Sequence, residues 1–261
     1  MNLIVTAGGT RERIDAVRAI TNDATGRLGS LIAAEFSRRL ASQEHTIYYL
    51  CGAGSILPVT DDPNIRIITI EGTEQLQREL TALLRTGRID AVIHSMAVSD
   101  YKINCVTTPD LVTEHVAEKF RDSKIALSRE QWRTVIQEAF AAQPIGTEQK
   151  ISSDLEHPVL VLEKTPKIIN MIKKISPNTI LIGFKLLSGV SKDKLIETAY
   201  SLLLKNKCDF VLANDTASMK NGNHVGYLID SEADFVRFSG KEQIAKGIAD
   251  SVLRKLQEGA K

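Results

Sequence analysis

Residues 2–10 have the sequence Asn-Leu-Ile-Val-Thr-Ala-Gly-Gly-Thr, and this stretch decides the fold. An apolar run of this length that ends in a glycine turn is typical of a buried strand in a parallel sheet. From Leu28 to Leu40 the apolar residues recur at helical spacing, with Thr25 before them as a candidate N-cap. A strand, a glycine turn and a helix in this order predict the first unit of an α/β protein.

The same alternation continues along the chain. Strands are predicted at residues 45–50, 65–70, 90–95, 159–162, 179–184 and 209–213. Helices are predicted at residues 74–84, 166–175 and 192–205, with Pro166 in the first turn of its helix. Two strand-like runs, 225–230 and 235–238, come before a last helix at 241–256. The pattern predicts a doubly wound, mostly parallel, Rossmann-like sheet whose edge is closed by a C-terminal hairpin.

Residues 102–149 interrupt this alternation. They form a mixed polar segment with Pro109 and Pro144, and one predicted helix at 129–142 carries the only tryptophan, Trp132. Long segments of this kind inside a compact domain are usually functional lids or insertions. We therefore expect a single domain over residues 1–261 with an insertion at about 102–149.

The composition limits the partners. The chain has 33 Lys and Arg against 32 Asp and Glu, which gives a formal net charge of +1. Proteins that bind nucleic acid mainly through a basic face usually show a positive excess or a basic cluster, so such a partner is not expected. The sequence has no run of ~20 apolar residues that could span a membrane, no signal-peptide pattern and no C-x-x-C pair. We expect a cytoplasmic protein without a membrane partner.

Two glycine-rich segments predict an anion site. The first, Thr-Ala-Gly-Gly-Thr-Arg-Glu at 6–12, leaves the first strand, and adjacent glycines let backbone N–H groups approach a ligand closely. The second, Thr-Asn-Asp-Ala-Thr-Gly-Arg-Leu-Gly at 21–29, opens a helix whose free N–H groups and positive dipole end attract phosphate. A plain tight turn explains the first segment equally well, but the two segments together favour a phosphate site.

The familiar nucleotide-binding patterns are missing. The sequence contains no G-x-G-x-x-G, and the second strand ends at Leu50-Cys51-Gly52 without an acidic residue for a ribose. None of the five tyrosines has a lysine four residues later, as short-chain dehydrogenases do, and no P-loop motif occurs. These absences favour an unusual mononucleotide site. An NAD(P)-dependent short-chain-type oxidoreductase is the alternative, and a non-catalytic nucleotide-binding module is a third hypothesis.

Other candidate site residues follow predicted strands. Asp100 is placed to hold Mg²⁺ or a polar substrate group at the sheet edge, with a solvated loop aspartate as the alternative. Lys150 belongs to a flexible segment that could close over a polyphosphate or simply form a surface loop. Phe184 could stack on a nucleobase or pack in the core. His94 is interpreted as a core histidine and not as a ligand.

Seven short motifs are each weak but specific in their combined order. They are Gly-Gly-Thr-Arg-Glu (8–12), Ile-Asp-Ala-Val-Arg-Ala-Ile-Thr-Asn (14–22), Thr-Gly-Arg-Leu-Gly (25–29), Ala-Val-Ser-Asp-Tyr (97–101), Lys-Ile-Ser-Ser (150–153), Gly-Phe-Lys (183–185) and Ala-Asn-Asp (213–215). In this order they resemble the phosphopantothenate-cysteine ligase family. Many bacterial members are fused behind a flavin-dependent decarboxylase, and this chain resembles the free-standing form.

The resemblance implies a ligase that joins 4'-phosphopantothenate to L-cysteine in coenzyme A biosynthesis. In this family a nucleoside triphosphate, usually CTP in bacteria and ATP in eukaryotic relatives, activates the pantothenate carboxylate as an acyl nucleotide and releases pyrophosphate. For this chain the resemblance implies CTP, with ATP as the less favoured nucleotide. Cysteine then attacks, which gives the amide and CMP. The resemblance also implies Mg²⁺ as a cofactor and a cytoplasmic homodimer whose sites lie at the interface.

The resemblance implies which residues contact the nucleotide. Those that cradle its phosphates are Gly9, Thr10, Gly26 and Gly29. Those that line the base and ribose side are Phe184, Lys205 and Asn214. Lys150 corresponds to the catalytic lysine of a mobile flap at about 146–156. Ala24 is a departure from the family, because a serine is common at its position.

The resemblance also implies the residues that contact the substrate. Asn22 would hold the pantothenate and the acyl-nucleotide intermediate. Arg18 would reach the substrate phosphate across a dimer interface. Asp100, with the backbone near Met96 and Ala97, would orient the pantoyl group, and it is also the candidate Mg²⁺ ligand. Met96 is a second departure, because the family usually has a small residue there.

Overall fold

The computed structural model describes residues 1–121, 126–142, 144–220 and 224–259. Over these residues it has twelve strands: β1 (Asn2–Ala7), β2 (Arg11–Arg13), β3 (Ala19–Thr21), β4 (Thr46–Gly52), β5 (Ile65–Ile70), β6 (Ala91–His94), β7 (Tyr101–Thr107), β8 (Val159–Lys164), β9 (Ile180–Leu187), β10 (Phe210–Asp215), β11 (Val225–Ile229) and β12 (Phe235–Ser239). Over the same residues it has eight helices: α1 (Arg27–Leu40), α2 (Thr73–Thr86), α3 (Pro109–Lys119), α4 (Arg129–Ala142), α5 (Ile169–Ile175), α6 (Lys192–Asn206), α7 (Thr216–Lys220) and α8 (Lys241–Glu258). Among the helices described, none is both long and apolar enough to cross a membrane.

The elements belong to two compact units. The first unit comprises Met1–Thr10, Asn22–Val98 and Lys167–Lys261, and the second comprises Arg11–Thr21 and Ser99–Pro166. The single domain over residues 1–261 stays a prediction, and the expected insertion at 102–149 lies within the second unit. The expected insertion is part of a larger second unit, because the segment after the first glycine turn and the residues around the flap cluster with it.

The first unit is built on an eight-stranded sheet. Its strand order is β12-β11-β10-β9-β6-β1-β4-β5. The six strands from β10 to β5 are parallel, and β11 and β12 continue the sheet as an antiparallel hairpin. The predicted doubly wound sheet with a closing hairpin is therefore confirmed. The direction of winding reverses between β1 and β6, and open α/β sheets bind ligands outside the carboxyl ends of the strands at such a point.

β1 shows why the first stretch of sequence decides the fold. Leu3, Ile4, Val5 and Ala7 are all fully buried. Leu3, Val5 and Ala7 belong to the core cluster on one face of the sheet, and Ile4 belongs to the cluster on the other face. A central strand that is covered on both faces needs a continuous apolar run, which is the pattern that the sequence shows.

Helices cover both faces of this sheet. On one face, α1 and α8 contribute buried side chains that include Ile32, Phe36, Leu40, Ile244, Ile248 and Val252. On the other face, α2, α5 and α6 contribute Leu76, Leu80, Leu84, Ile172, Leu195 and Leu203. Each such side chain stabilises the fold by about 1.5–3 kcal/mol relative to an exposed position. These two layers hold the carboxyl ends of β1 and β6 in place.

The second unit contains two antiparallel pairs and a helical pair. β2 pairs with β3 and β7 pairs with β8. The rings of Phe120 and Trp132, beside α3 and on α4, lie 5.7 Å apart, and Lys119 forms an ion pair with Glu138. The predicted helix at 129–142 is confirmed as α4. The sequence analysis missed α3, whose apolar residues Leu111, Val112 and Val116 form only a weak stripe and are partly buried.

The prediction for residues 159–162 is wrong in one respect. They form a strand, as expected, but β8 lies in the antiparallel ribbon with β7 and not in the parallel sheet. Leu160 and Leu162 are 37% and 45% exposed. Their partial exposure fits a two-stranded ribbon, since a central parallel strand would be buried on both faces.

The start of α5 also differs from the prediction. The helix begins at Ile169, so Pro166 does not lie in its first turn. The N–H of Thr165 still donates to the carbonyl of Asp100 at 3.1 Å, which continues the ribbon pairing just before the proline. The chain is therefore held in an extended form up to residue 165, and the helix starts later.

The three cysteines are free and buried. They are Cys51, Cys105 and Cys208. Burial raises the pKa of each thiol, and it raises the pKa of Cys208 to about 12. None of the three forms a disulfide bond within the described residues.

Candidate active site

The loops after β1 and β6 meet where the winding of the sheet reverses. The N–H of Ala97 donates to the carbonyl of Gly8 at 2.8 Å, and the N–H of Thr10 donates to the carbonyl of Ala97 at 3.2 Å. Gly9 and Ala97 form an isolated parallel bridge beyond the two strands. The first glycine loop is therefore fixed against the segment that follows β6.

Asn22 lies at the same point. Its Nδ2 donates to the carbonyl of Ala97 at 3.0 Å. The carbonyl of Asn22 accepts a hydrogen bond from the N–H of Ala24 at 2.9 Å and lies against Gly9. The structure therefore brings together three residues from separate motifs, Gly9, Asn22 and Ala97.

The second glycine segment forms the N-terminus of α1, and this N-terminus has the features of a phosphate-binding helix start. Gly26 is the N-cap, with φ at +75° in the left-handed region that glycine adopts readily. Thr25, the expected N-cap, instead accepts a hydrogen bond at Oγ1 from the N–H of Arg27 at 3.4 Å. The residues of the first turn, Arg-Leu-Gly-Ser, include no acid. The positive end of the helix dipole is therefore not neutralised within its own first turn.

A third loop, which follows β4, belongs to this site although the sequence analysis does not single it out. A Cβ on Gly52 would lie 2.2 Å from the carbonyl oxygen of Gly9, so only glycine fits there. The side chain of Ser55 lies against Gly8 and Gly26 and fills the space between the two glycine loops. A signal was present, since the run Gly-Ala-Gly-Ser directly follows a predicted parallel strand.

The segment after β6 is tied to Thr6. The N–H of Met96 donates to Thr6 Oγ1 at 3.1 Å, and His94 Nδ1 lies 3.0 Å from the same hydroxyl. Burial lowers the pKa of His94 to about 4, so His94 is the neutral core histidine that we expected. The N–H groups of Met96 and Ala97 are both used inside the protein. Neither of these two N–H groups is therefore left for a substrate, and the carbonyl of Ala97 already accepts from Thr10 and Asn22.

The three residues expected on the base and ribose side are not all close together. Phe184 on β9 is half-buried against the core on the α1 and α8 side, which supports the core-packing alternative. Asn214 on β10 is buried, with Nδ2 3.5 Å from His224 Nε2, and the register that pairs Phe184 with Leu212 puts it on the same face. Lys205 is exposed in the last turn of α6, which covers the other face. Because α6 returns to the amino end of β10, the expected grouping of Lys205 with the other two is not found within this chain.

In the second unit, a buried carboxylate joins Arg18 to the predicted flap. Asp15 Oδ2 accepts hydrogen bonds from Arg18 Nε at 2.8 Å, Arg18 Nη2 at 2.5 Å and the N–H of Ile151 at 3.1 Å. Asp15 Oδ1 accepts from the N–H groups of Val17 and Arg18 at 2.9 and 2.7 Å. The Arg18 side chain, followed by these N–H groups, holds the pKa of Asp15 well below its usual range. Sequence reasoning missed Asp15, although it lies three residues before Arg18 in a quoted motif.

Lys150 and Arg18 are both accessible in this unit. Lys150 is exposed and directly precedes the buried Ile151 in an irregular stretch of chain. The Arg18 side chain is 48% exposed despite its bonds to Asp15. Arg18 Nη2 also donates to the carbonyl of Ile151 at 2.9 Å. The structure therefore connects the two predicted cations through Ile151.

Asp100 is the candidate metal ligand, and it lies exposed near the start of the Ser99–Pro166 segment of the second unit. Within residues 1–121, 126–142, 144–220 and 224–259, no group of three or more His, Cys, Asp and Glu side chains could hold a metal ion. A single carboxylate suits Mg²⁺ that arrives with a nucleotide, because most ligands of such an ion are phosphate oxygens and water.

Comparisons with known proteins agree on one family. The model of the DNA/pantothenate metabolism flavoprotein C-terminal domain matches residues 1–131 and 139–256. The coenzyme A biosynthesis bifunctional protein CoaBC of Thermococcus kodakarensis is 29% identical over 212 residues, which are 81% of this chain and 40% of that protein. This chain therefore spans less than half the length of that relative.

Solved structures show the same fold. The crystal structure of the DNA/pantothenate metabolism flavoprotein from Streptococcus pneumoniae is 31% identical, with a TM-score of 0.76, and the match covers 98% of this chain and 99% of that one. A Cab2 variant in complex with phosphopantothenate-cysteine is 13% identical, with a TM-score of 0.63 over 98% of this chain and 88% of that one. At the lower identity the likeness concerns the fold alone.

Proposed function

Since the chain belongs to the DNA/pantothenate metabolism flavoprotein C-terminal domain family, we propose that it is a ligase that joins 4'-phosphopantothenate to L-cysteine in coenzyme A biosynthesis. The observation that carries the proposal is the meeting of Gly9, Asn22 and Ala97 where the winding of the sheet reverses. Backbone groups and one side-chain amide converge there, at the place where this architecture binds nucleotides.

The proposed reaction has two steps at one carboxylate. A carboxylate is a poor electrophile because its leaving group would be oxide. CTP therefore converts the pantothenate carboxylate to a mixed anhydride and releases pyrophosphate. The amino group of cysteine then attacks the acyl carbon, and CMP leaves as the amide forms. ATP is the less favoured nucleotide in this proposal.

The glycine loops and the start of α1 are proposed to hold the nucleotide phosphates. The first turn of α1 presents N–H groups that have no acceptor within the helix. Gly26 and the loop that contains Gly8 and Gly9 surround that turn closely enough for their backbone to approach an anion. Thr10 lies at the end of the same loop and is held there by its bond to Ala97.

Asn22 is proposed to orient the acyl nucleotide. Its Nδ2 group is held by the carbonyl of Ala97 at 3.0 Å, which fixes the plane of the side-chain amide. A fixed polar group beside the reacting carbonyl contributes through orientation, because it keeps the intermediate in place for the attack by cysteine. Asn22 is accordingly the first residue that we assign to catalysis.

The positive charges that the reaction needs are proposed to come from Arg18 and Lys150. Arg18 would bind the substrate phosphate of a partner copy in a homodimer. Lys150 would disperse the charge on the leaving pyrophosphate. Mg²⁺ bound to the nucleotide would supply the same kind of stabilisation, with Asp100 as its candidate protein ligand.

One assay tests this function directly. The protein is incubated with phosphopantothenate, cysteine, Mg²⁺ and either CTP or ATP, and pyrophosphate is measured over time. We expect steady release with CTP and slower release with ATP. Without cysteine we expect about one pyrophosphate per site, because the acyl nucleotide then has no acceptor.

Two outcomes contradict the proposal. Absence of pyrophosphate with both nucleotides would exclude the ligase reaction. Release that does not depend on phosphopantothenate would indicate a nucleotide hydrolase. A faster rate with ATP would leave the ligase in place and overturn only the choice of nucleotide.

A further inference from the structure

Asp15 and Arg18 hold both polar groups of one backbone position in the flap. The N–H of Ile151 donates to Asp15 Oδ2 at 3.1 Å, and the carbonyl of Ile151 accepts from Arg18 Nη2 at 2.9 Å. The same Arg18 Nη2 donates to Asp15 at 2.5 Å. One carboxylate therefore binds the N–H of Ile151 and one guanidinium binds its carbonyl. We call Asp15, Arg18 and Ile151 the flap clamp.

The flap clamp is the fixed point of an otherwise exposed stretch. In the described stretch from 148 to 154, Ile151 alone is buried. Its side chain is 6% exposed, whereas its neighbours Lys150 and Ser152 are exposed. A residue held by two hydrogen bonds and by burial of its side chain limits where the adjacent lysine can reach.

Asp15 also determines how Arg18 can meet a phosphate. Arg18 Nε and Nη2 both point to Asp15 Oδ2, and this contact fixes the plane of the guanidinium. Almost half of the side chain stays exposed. A guanidinium with one edge fixed presents its other edge in a set direction, so a phosphate meets a preorganised group.

We infer that Asp15 is a positioning residue that places both proposed phosphate-binding cations, Arg18 and Lys150. The inference rests on the proposed function for what the two cations bind. Arg18 Nη2 donates both to Asp15 and to the carbonyl of Ile151. An anion that moves the guanidinium of Arg18 therefore also changes its hydrogen bond to Ile151. Binding of the substrate phosphate and the position of the flap are therefore coupled through one nitrogen atom.

The substitution Asp15→Asn tests this inference. An asparagine keeps the size of the side chain but offers one acceptor oxygen instead of two. In either orientation its NH₂ group faces backbone or guanidinium N–H donors, so one set of bonds is lost. Asp110→Asn is the matched control, because Asp110 is exposed in the first turn of α3 in the same unit.

Trypsin provides a readout that needs no substrate. It cleaves after Lys150, at the peptide bond whose N–H donates to Asp15, and the fragments are followed by mass spectrometry. Loss of a hydrogen bond to a charged group should speed this cleavage about tenfold in Asp15→Asn. Cleavage after lysines and arginines outside residues 11–21 and the flap should keep the wild-type rate, and Asp110→Asn should match wild type at every site.

Kinetics provide the second readout. In the pyrophosphate assay, Asp15→Asn should raise KM for phosphopantothenate and lower kcat, each about tenfold, because both cations lose their placement. KM for cysteine should not change. A purely structural role would instead lower the amount of active enzyme without changing any KM.

Several results would overturn the inference. Cleavage after Lys150 at the wild-type rate would show that Asp15 does not hold the flap, and faster cleavage with unchanged KM and kcat would show that the flap clamp does not position the cations. If wild type releases no pyrophosphate while Asp15→Asn still speeds cleavage, the proposed function fails and the flap clamp is supported.

Should Asp15→Asn fail to fold, Arg18→Lys tests the same contact at a half-exposed position. It should also speed cleavage after Lys150, and an unchanged rate would overturn the inference.

Discussion

The glycine loops of the first unit and the flap clamp of the second unit both place site residues, but they use different forces. The loops are held by backbone groups, as in the hydrogen bond from Ala97 to Gly8 and the close approach of Gly52 to Gly9. The flap clamp is centred on one ionised side chain, Asp15, that accepts five hydrogen bonds.

This difference predicts two kinds of sensitivity to substitution. Contacts between backbones leave no room for an added atom, but they do not depend on charge. A buried carboxylate tolerates small changes of shape around it but loses its bonds once its charge is removed. Steric substitutions should therefore damage the first region most, and charge-changing substitutions the second.

Gly52→Ala should have the largest effect, since it tests the steric side of this comparison. The added Cβ would lie 2.2 Å from the carbonyl oxygen of Gly9, so the backbone of the first loop must move. A displacement of about 1 Å in a site can lower the rate about 100-fold. The measurement is kcat for pyrophosphate release. Gly259→Ala is the control, because among the described residues other than its chain neighbours the nearest atom to its Cβ position is 3.6 Å away and its φ is −76°, and a similar loss in this control would contradict the steric explanation.

Asn22→Asp should have the next largest effect and tests whether charge matters in the first region. Aspartate has no N–H to donate to the carbonyl of Ala97, which Asn22 Nδ2 now contacts at 3.0 Å. We expect kcat to fall about 30-fold, with acyl nucleotide accumulating when cysteine is present. Chromatography of quenched reactions detects this intermediate. Asn178→Asp, at an exposed turn, should behave as wild type, and normal turnover by Asn22→Asp would show that Asn22 is not catalytic.

Lys150→Gln should have a smaller effect and separates the function of the flap from its stability. Because Lys150 is exposed, its loss should leave the melting temperature within about 2 °C of wild type. We expect kcat to fall about tenfold, from the loss of one charge near the leaving group. Lys174→Gln, on the exposed side of α5, is the control for loss of a lysine. A large drop in melting temperature would instead indicate a structural role.

The smallest effect should come from His45, a titratable group of the first unit that lies just before the amino end of β4. His45 Nδ1 lies 2.9 Å from the carbonyl of Gln43, and Nε2 lies 2.7 Å from Asp62 Oδ2. Burial alone would lower the pKa of His45, but these two acceptors outweigh it and raise the pKa above its usual value. The stabilisation is therefore complete below the unfolded pKa of about 6.5 and is lost as the pH rises through the folded pKa.

Urea unfolding at several pH values measures this effect. The difference in unfolding free energy between wild type and His45→Gln should shrink as the pH rises from about 6 to 9. A difference that stays constant would show that His45 is not charged in the folded protein. The expected result would show that a charged side chain of the first unit stabilises the fold at a position away from the glycine loops.

The sequence predicts the first region well because its signals are local. Each strand that ends at the site is a short apolar run, and each glycine loop directly follows a strand or starts a helix. The motif residues Gly9, Asn22 and Ala97 could therefore be assigned to one edge of the sheet before their contacts were known. Gly52 is not singled out by the sequence analysis, although the run Gly-Ala-Gly-Ser after its strand is a local signal of the same kind.

The second region depends on contacts that the sequence does not show. β7 alternates poorly, since its last three residues are all buried, and β2 and β3 have only three residues each. The link between Asp15 and Ile151 joins positions far apart in the chain, with both partners in irregular segments. No periodic pattern or local spacing indicates such a contact, so the role of Asp15 appears only in three dimensions.

The three buried cysteines bear on the redox chemistry of a protein that is proposed to handle free cysteine. Such a protein also meets cystine and mixed disulfides of small thiols, and exchange with them requires an accessible thiolate. Cys51, Cys105 and Cys208 are buried, and the pKa of each thiol is raised. The folded chain therefore has no thiol that competes with the substrate or becomes linked to its oxidised form, and oxidation of the cysteine pool would lower the supply of substrate without inactivating the protein through its own thiols.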